Sequence, residues 1–267
     1  MKILFTDLDG TLLNDKSVVS KHTADILKKY TEAGNKLVLS SGRSLESVIK
    51  VKNDNHLDFS GMYICAANGT IVYECDTDTI LFTELMNMED VESIWQYNVT
   101  YPVHIQTYSE KELIVYRNDR ESDFYRIRCP LDTIESKTPW EILKNPPCKM
   151  LAIDLDNHHK LEEFATIIKE NYPNLTTLFS NDRYLEIFSS KAGKGNSLIR
   201  LCDHLSIPVS DSFAFGDEEN DLSMITAAGT GVLMKNGNPA ISSYADIITE
   251  KSNDNDGLAD FIEQNIL

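Results

Sequence analysis

The segment Ile3-Leu-Phe-Thr-Asp-Leu-Asp-Gly-Thr-Leu-Leu13 runs a short apolar stretch into two carboxylates, Asp7 and Asp9, and then straight into a turn at Gly10 and Thr11. Such a stretch reads as a buried strand, and in an open α/β sheet ligands bind in the crevice at the carboxyl ends of the strands. Alternate residues of an extended tip point to one side, so Asp7 and Asp9 are expected to aim two acids into one pocket, a place for phosphate chemistry. Asp and Gly are also common turn residues. Taken alone, the segment therefore also fits a solvated strand-end turn.

Three further segments repeat the context of strand, loop and helix. Lys36-Leu-Val-Leu-Ser-Ser-Gly-Arg43 ends an apolar run in two hydroxyls and a glycine. Lys194 and Gly195, in Ser189-Ser-Lys-Ala-Gly-Lys-Gly-Asn-Ser-Leu198, open an apolar-periodic helix. Phe213-Ala-Phe-Gly-Asp-Glu-Glu-Asn-Asp-Leu-Ser-Met224 ends another strand with Asp217, Asn220 and Asp221. The order of acid pair, hydroxyl, lysine and acid cluster closely resembles the haloacid dehalogenase-like phosphatase superfamily. Within it the chain is most similar to the Cof-type sugar-phosphatase branch, on Ala66-Ala-Asn-Gly-Thr-Ile71, Val232-Leu-Met-Lys-Asn-Gly237 and Asp254-Asn-Asp-Gly-Leu258. The resemblance covers both ends of the chain and is weak between about Leu81 and Phe188. Two positions depart from the family pattern: Ser41 stands where Thr is frequent, and Asn236-Gly237 where Asn-Ala is usual. Both keep the required functional groups.

Ser20 is placed to cap an amphipathic helix carrying Thr23, Ile26, Leu27, Tyr30 and Ala33, closed by Gly34. Strand runs follow at Leu37–Leu39, Met62–Cys65, Phe213–Phe215 and Gly231–Leu233, separated by helical patterns, which is the alternation of a parallel doubly wound sheet. The order changes after Ile71. Strands at Val103–Thr107, Glu112–Arg117, Met150–Asp154, Thr176–Phe179 and Tyr184–Phe188, with helices near Glu89–Tyr97 and Leu161–Tyr172, suit an inserted α+β unit of domain size. The expected fold is a Rossmann-like α/β core from residues 1–80 and 189–267, with an inserted α+β cap over 81–188. The cap would close over the crevice, with residues near Arg117 to Arg128 or Arg183 to Glu186 setting specificity.

The formal charge of −17 repels nucleic acid over most of the surface. It also repels a phosphorylated substrate, so a divalent cation is expected in the pocket. Five cysteines (Cys65, Cys75, Cys129, Cys148 and Cys202) show no metal spacing, and their odd number argues against a disulfide framework. Only Ile3-Leu-Phe5 precedes Asp7, and no apolar run of about 18 residues follows. A soluble, cytoplasmic protein without membrane partners is therefore expected; oligomeric state stays open.

The chemistry follows from these groups. Phosphate monoesters hydrolyse extremely slowly unaided, and Asp7 suits a nucleophile that splits the reaction through an aspartyl phosphate. Asp9 suits the acid that protonates the leaving oxygen and then activates water. Mg²⁺ takes an octahedral shell of oxygens, with Asp7 and Asp217 as expected ligands. The resemblance adds the Asp9 backbone carbonyl and Asp221, directly or through water. Asn220 is expected to orient Asp217 or to touch phosphate. Ser41 supplies a hydrogen bond and Lys194 a point charge to the phosphoryl group, while Gly42 and Gly10 let backbone amides approach it. Arg43 and Asn68 are candidate substrate contacts. The resulting expectation is a Mg²⁺-dependent phosphatase of small phosphorylated metabolites, sugar phosphates first. A phosphomutase on the same scaffold and a non-catalytic sugar-phosphate sensor are the alternatives.

Two look-alikes carry less. Ile153-Asp-Leu-Asp-Asn-His-His159 repeats the acid spacing without Gly-Thr and precedes an amphipathic helix, so Asp156 or Asn157 reads as a helix cap. Gly193-Lys-Gly-Asn-Ser197 lacks the spacing of a nucleotide-triphosphate loop.

Overall fold

The computed structural model describes residues 1–109, 112–127 and 131–267. Arg128, the end of one expected specificity segment, and Cys129 lie outside the described residues. The chain packs as two compact units, Met1–Thr83 with Ala192–Leu267, and Glu84–Lys191.

The first leg of the chain supplies strand β1 (Ile3–Thr6), helix α1 (Lys21–Glu32), strand β2 (Lys36–Ser40), helix α2 (Leu45–Asp54) and strands β3 (Met62–Ala66), β4 (Ile71–Glu74) and β5 (Thr79–Thr83). The Ser20 hydroxyl caps α1 by accepting from the Thr23 amide at 3.0 Å, and the chain leaves the helix through Gly34 at φ 85°. Thr23, Ile26, Leu27 and Tyr30 face the core, whereas Ala33 is the exposed C-cap.

Glu84–Lys191 then forms α3 (Met88–Tyr97), β6 (His104–Tyr108), β7 (Glu112–Val115), α4 (Arg120–Arg126), β8 (Asp132–Glu135), β9 (Lys149–Ile153), α5 (His158–Asn171), β10 (Leu175–Asn181) and β11 (Tyr184–Ser189). The chain returns with α6 (Lys194–His204), β12 (Ser212–Gly216), α7 (Leu222–Ala227), β13 (Thr230–Leu233), β14 (Ile247–Ile248) and α8 (Gly257–Asn265).

In the first unit the eight strands run β14-β13-β12-β1-β2-β3-β4-β5. The six from β14 to β3 are parallel, and β4 and β5 extend that sheet as an antiparallel ribbon. β1, β2, β3, β12 and β13 are largely buried on both faces and read as apolar runs, as such strands must, whereas the short edge strand β14 exposes Ile247 and Ile248. β4 and β5 carry Glu74, Thr79 and Thr83, so their pattern gives no such signal.

The second unit orders its strands β10-β11-β9-β6-β7-β8, antiparallel except for β7 beside β8. One face buries Trp95, Leu161, Phe164 and Ile168 of α3 and α5 against Ile105, Met150, Ala152 and Leu185. The other packs Phe124 and Tyr125 over Leu151, Ile153 and Tyr184. Here buried His104 lies between Asp119 Oδ1 at 2.8 Å and Gln106 Oε1 at 3.0 Å, and Lys149 pairs with Glu186 at 2.8 Å. Arg117 pairs with Asp119, and the Arg183 guanidinium lies over the Phe124 ring. Asn157 caps α5 by accepting from the Lys160 amide, while His158 and His159 face Glu162 and Glu163 one turn on. The Asp154–His159 run is thus a helix start.

Phe164 is fully buried in the larger cluster of the second unit. Phe164→Ala is expected to cost about 3–5 kcal/mol, read from the urea midpoint of the transition that reports this unit. A cost under about 1 kcal/mol would contradict the packing described.

Candidate active site

β1 is the point where strand order reverses: β2 and β3 extend the sheet on one side, β12 and β13 on the other. At such a point the flanking loops part and leave a crevice at the carboxyl ends. Asp7 leaves β1 there, its amide still bonded to the Phe215 carbonyl at 2.9 Å, and Asp217 leaves β12 one residue beyond Gly216. Ser41 leaves β2, its amide on the Cys65 carbonyl at 2.9 Å.

The chain leaves β3 through three successive positive-φ residues, Ala67 at 49°, Asn68 at 57° and Gly69 at 82°. A Cβ on Gly69 would lie 2.5 Å from the Gly193 carbonyl oxygen and 2.7 Å from Ser197 Oγ, so this turn packs directly on the first turn of α6. That helix begins with Lys194.

Lys194 is fully buried, and its Nζ donates to Asp7 Oδ1 at 2.5 Å and to Asp221 Oδ1 at 2.6 Å. The other Asp221 oxygen accepts the amides of Asp217 at 3.0 Å and Glu218 at 3.2 Å. Asp217 Oδ1 accepts from the buried Thr11 hydroxyl at 2.8 Å. Gly10, at φ 79°, lies under Asp217, where a Cβ would come 2.2 Å from Oδ2, so only glycine lets the two segments approach.

Burial pushes the Asp7 carboxyl up to about 8; Lys194 opposes this, and Asp221 and Asp217 reinforce it. Burial likewise lifts Asp217 to about 7, against the Thr11 hydrogen bond and with help from Asp221. Burial works against the charge on Lys194, yet Asp221 and Asp7 hold its ammonium above the usual lysine range. One carboxylate oxygen from each of Asp7, Asp217 and Asp221 lies within 4.8 Å of the other two. Against one ammonium, the three acids when ionised leave two uncompensated negative charges in a buried space. Hard oxygen donors with that charge fit a divalent cation such as Mg²⁺.

The structure thus brings Asp7, Lys194, Asp217 and Asp221 together. It does not bring the Asp9 carboxylate in with them. β1 stops at Thr6, and the chain coils, with the Leu12 amide on the Asp7 carbonyl at 3.3 Å and Leu13 on Leu8 at 2.8 Å. The two-residue alternation therefore ends before Asp9. Its side chain is 58% exposed and is gripped by Arg43, Nε to Oδ2 at 2.9 Å and Nη2 to Oδ1 at 2.5 Å. Arg43, expected at the substrate, is engaged by Asp9.

Asn220 lies half-buried in the turn before α7, and Thr11, rather than Asn220, donates to Asp217. Asn68 is buried in the left-handed turn beside Gly42, whose Cβ would lie 3.0 Å from Asn68 Oδ1. Thr11 stood in the first motif, but nothing in its spacing announced its hold on a residue so distant in sequence. Gly69 lay in a segment quoted for the resemblance and Ser197 in the segment of Lys194, but nothing in either announced that they seat the start of α6.

The raised acids make stability depend on pH. A carboxyl ordinarily near 3.8 but held near 7 or 8 in the folded chain stays protonated there while the unfolded chain releases its proton, so stability falls as pH rises between those values. Lys194 is charged in both states across this range and adds no slope. With a chelator present, Tm is expected to fall between about pH 5 and pH 8. Added Mg²⁺ should raise Tm most at the alkaline end, as calorimetry can read; a Tm that rises with pH in the chelator would contradict this electrostatic account.

The family model for haloacid dehalogenase-like hydrolases matches residues 4–262. Among curated relatives, the 5-amino-6-(5-phospho-D-ribitylamino)uracil phosphatase YwtE of Bacillus subtilis is 29% identical, over 99% of this chain and 98% of its own. The phosphatase YwpJ of the same organism is 28% identical over 97% and 98%. Among solved structures, a haloacid dehalogenase-like hydrolase from Bacteroides thetaiotaomicron superposes with a TM-score of 0.82 at 27% identity, covering 98% of both chains. Another from B. subtilis gives 0.82 at 26% identity over 100% of both. The chain belongs to the haloacid dehalogenase-like hydrolase family, as a phosphatase of phosphoric monoesters.

Proposed function

We propose that the protein hydrolyses small phosphorylated metabolites, sugar or polyol phosphates, with Mg²⁺ and through an aspartyl phosphate on Asp7. The observation that carries this reading is the buried lysine shared by Asp7 and Asp221, with Asp217 beside them. A nucleophile needs a free oxygen and a fixed direction, and Lys194 fixes Asp7 by one oxygen, leaving Oδ2 to attack.

In the first half-reaction Asp7 Oδ2 forms a bond to phosphorus while the ester P–O bond breaks, and the departing alkoxide takes a proton from Asp9. In the second, water attacks the phosphoryl group, Asp9 accepts its proton, and the Asp7–phosphorus bond breaks to release inorganic phosphate. Ser41 and the amide of Gly42 donate to phosphoryl oxygens, and Lys194 offsets their charge. Asp7, Asp217 and Asp221, with the Asp9 carbonyl, would hold a divalent ion, which would supply positive charge to offset that of the transferring group.

The relative YwtE is named for a phosphorylated ribityl compound, which supports a polyol or sugar phosphate here. The unit Glu84–Lys191 is the specificity domain in this reading. The thiols of Cys65, Cys75 and Cys202 support a reducing, cytoplasmic location.

Asp7→Asn keeps nearly the same shape but lacks the nucleophilic oxygen, so phosphate release should fall by roughly three orders of magnitude or more with the melting curve preserved. Retention of more than about a tenth of wild-type turnover would remove Asp7 from this role. Phosphate release should also stop in EDTA and return with Mg²⁺, and full activity in EDTA would contradict the metal assignment.

A further inference from the structure

Asp9 is the one acid of the proposed mechanism that stands outside the buried cluster, and its direction is set by a single side chain. Arg43 meets it with two parallel hydrogen bonds, Nε to Oδ2 at 2.9 Å and Nη2 to Oδ1 at 2.5 Å. This is the fork-to-carboxylate geometry that fixes orientation as well as attraction. The backbone of Arg43 is itself pinned. Its amide donates to Ser41 Oγ at 3.2 Å, and its carbonyl accepts from the Ala67 amide at 2.7 Å. The guanidinium therefore starts from a fixed point one residue beyond Gly42 in the proposed phosphate-binding loop. Arg43 is 32% exposed at its side chain and Asp9 58%. A free carboxylate with that exposure would sample several rotamers at little cost, so the fork is what restricts it.

We propose that Arg43 is a positioning residue for Asp9, holding its carboxyl group in one orientation relative to the Ser41 loop so that it meets the leaving oxygen: both guanidinium contacts hold the ionised form that takes the proton of water, and one is kept when Asp9 carries the proton it gives to the leaving oxygen. This rests on the role given to Asp9 under the proposed function. It separates Arg43 from the groups that bind the phosphoryl charge: Lys194 and Ser41 serve the phosphate, Arg43 serves the acid. A proton-transfer group must lie within hydrogen-bond reach of its target, and a misplacement of about 1 Å can cost on the order of a hundredfold. Loss of the fork is accordingly a loss in the chemical step and not in binding.

The test compares wild type, R43Q, R43K, D9N and D9N/R43Q on a hexose phosphate, whose alkoxide needs a proton, and on p-nitrophenyl phosphate, whose phenolate does not. In R43Q, kcat for the hexose phosphate should fall at least tenfold more than kcat for the aryl ester, with KM within about twofold of wild type. R43K, which keeps the charge and loses the fork, should fall between wild type and R43Q. D9N/R43Q should be no slower than D9N, because Arg43 then has nothing to position.

Three results would overturn the proposal. One is a raised KM with kcat kept, persisting in the D9N background, which would make Arg43 a substrate contact. Another is R43K behaving as wild type, which would reduce the fork to a bare charge. The third is a D9N variant that loses equally on both esters, which takes Asp9 off the proton path and the proposal with it. Wild-type phosphate release from the same esters stands or falls separately and reports on the phosphatase reading itself.

Discussion

The Lys194 ammonium is the interaction on which the rest of the site depends. Three carboxylates within a few ångströms and largely out of water repel one another, and desolvation penalises each ionised form. A fully buried lysine would ordinarily be unstable as well. Each is tolerable because of the other: Lys194 spans Asp7 on the β1 side of the crevice and Asp221 on the β12 side. Because the compensation is incomplete, the cluster suits a cation; burial first, and the neighbouring acids after it, raise Asp7 and Asp217. Removing the lysine would leave the acids protonated or splayed.

Around this pair the backbone geometry is restrictive. Gly10 under Asp217 and Gly69 against α6 are positions where a single methyl would collide with the site or with the helix that carries Lys194. Ala67 adopts a positive φ without being glycine, a conformation that costs energy and persists only where the surroundings hold it. Here the surroundings are the Ser41 loop on one side, through the Asn68 amide on the Ser41 carbonyl at 2.9 Å, and the start of α6 on the other. The turn thus ties the hydroxyl to the lysine.

Much of this was legible in the sequence for a physical reason. Strands buried on both faces must be apolar throughout, so β1, β2, β3 and β12 stood out, and the polar residues that end them fall at the crevice. Asp7, Ser41, Lys194, Asp217 and Asp221 could be named because each follows a strand or opens a helix and because their order resembles the motifs of the haloacid dehalogenase-like superfamily. The antiparallel ribbon β4–β5 was missed because its residues alternate weakly and lie half in water. The outward turn of Asp9 was missed because it depends on where β1 ends, and Thr6 and Asp7 look equally able to extend it. Thr11 on Asp217 and Arg43 on Asp9 are contacts across the fold, which local pattern does not encode.

The central strand β1 pairs on one side with β2, close in sequence, and on the other with β12, Ile3 opposite Ser212. During synthesis the first unit therefore carries an open, apolar strand edge until β12 has emerged. The segment between, Glu84–Lys191, has its sheet partners within itself and can close its own core first. Long-range pairing is slow, and unpaired edges invite aggregation. This pairing favours an insert that closes first and a crevice that is completed later, because Asp7 can meet Asp217 only once β12 has paired with β1. A chain cut short before β12 would have the first acid and the hydroxyl loop but no crevice to hold them.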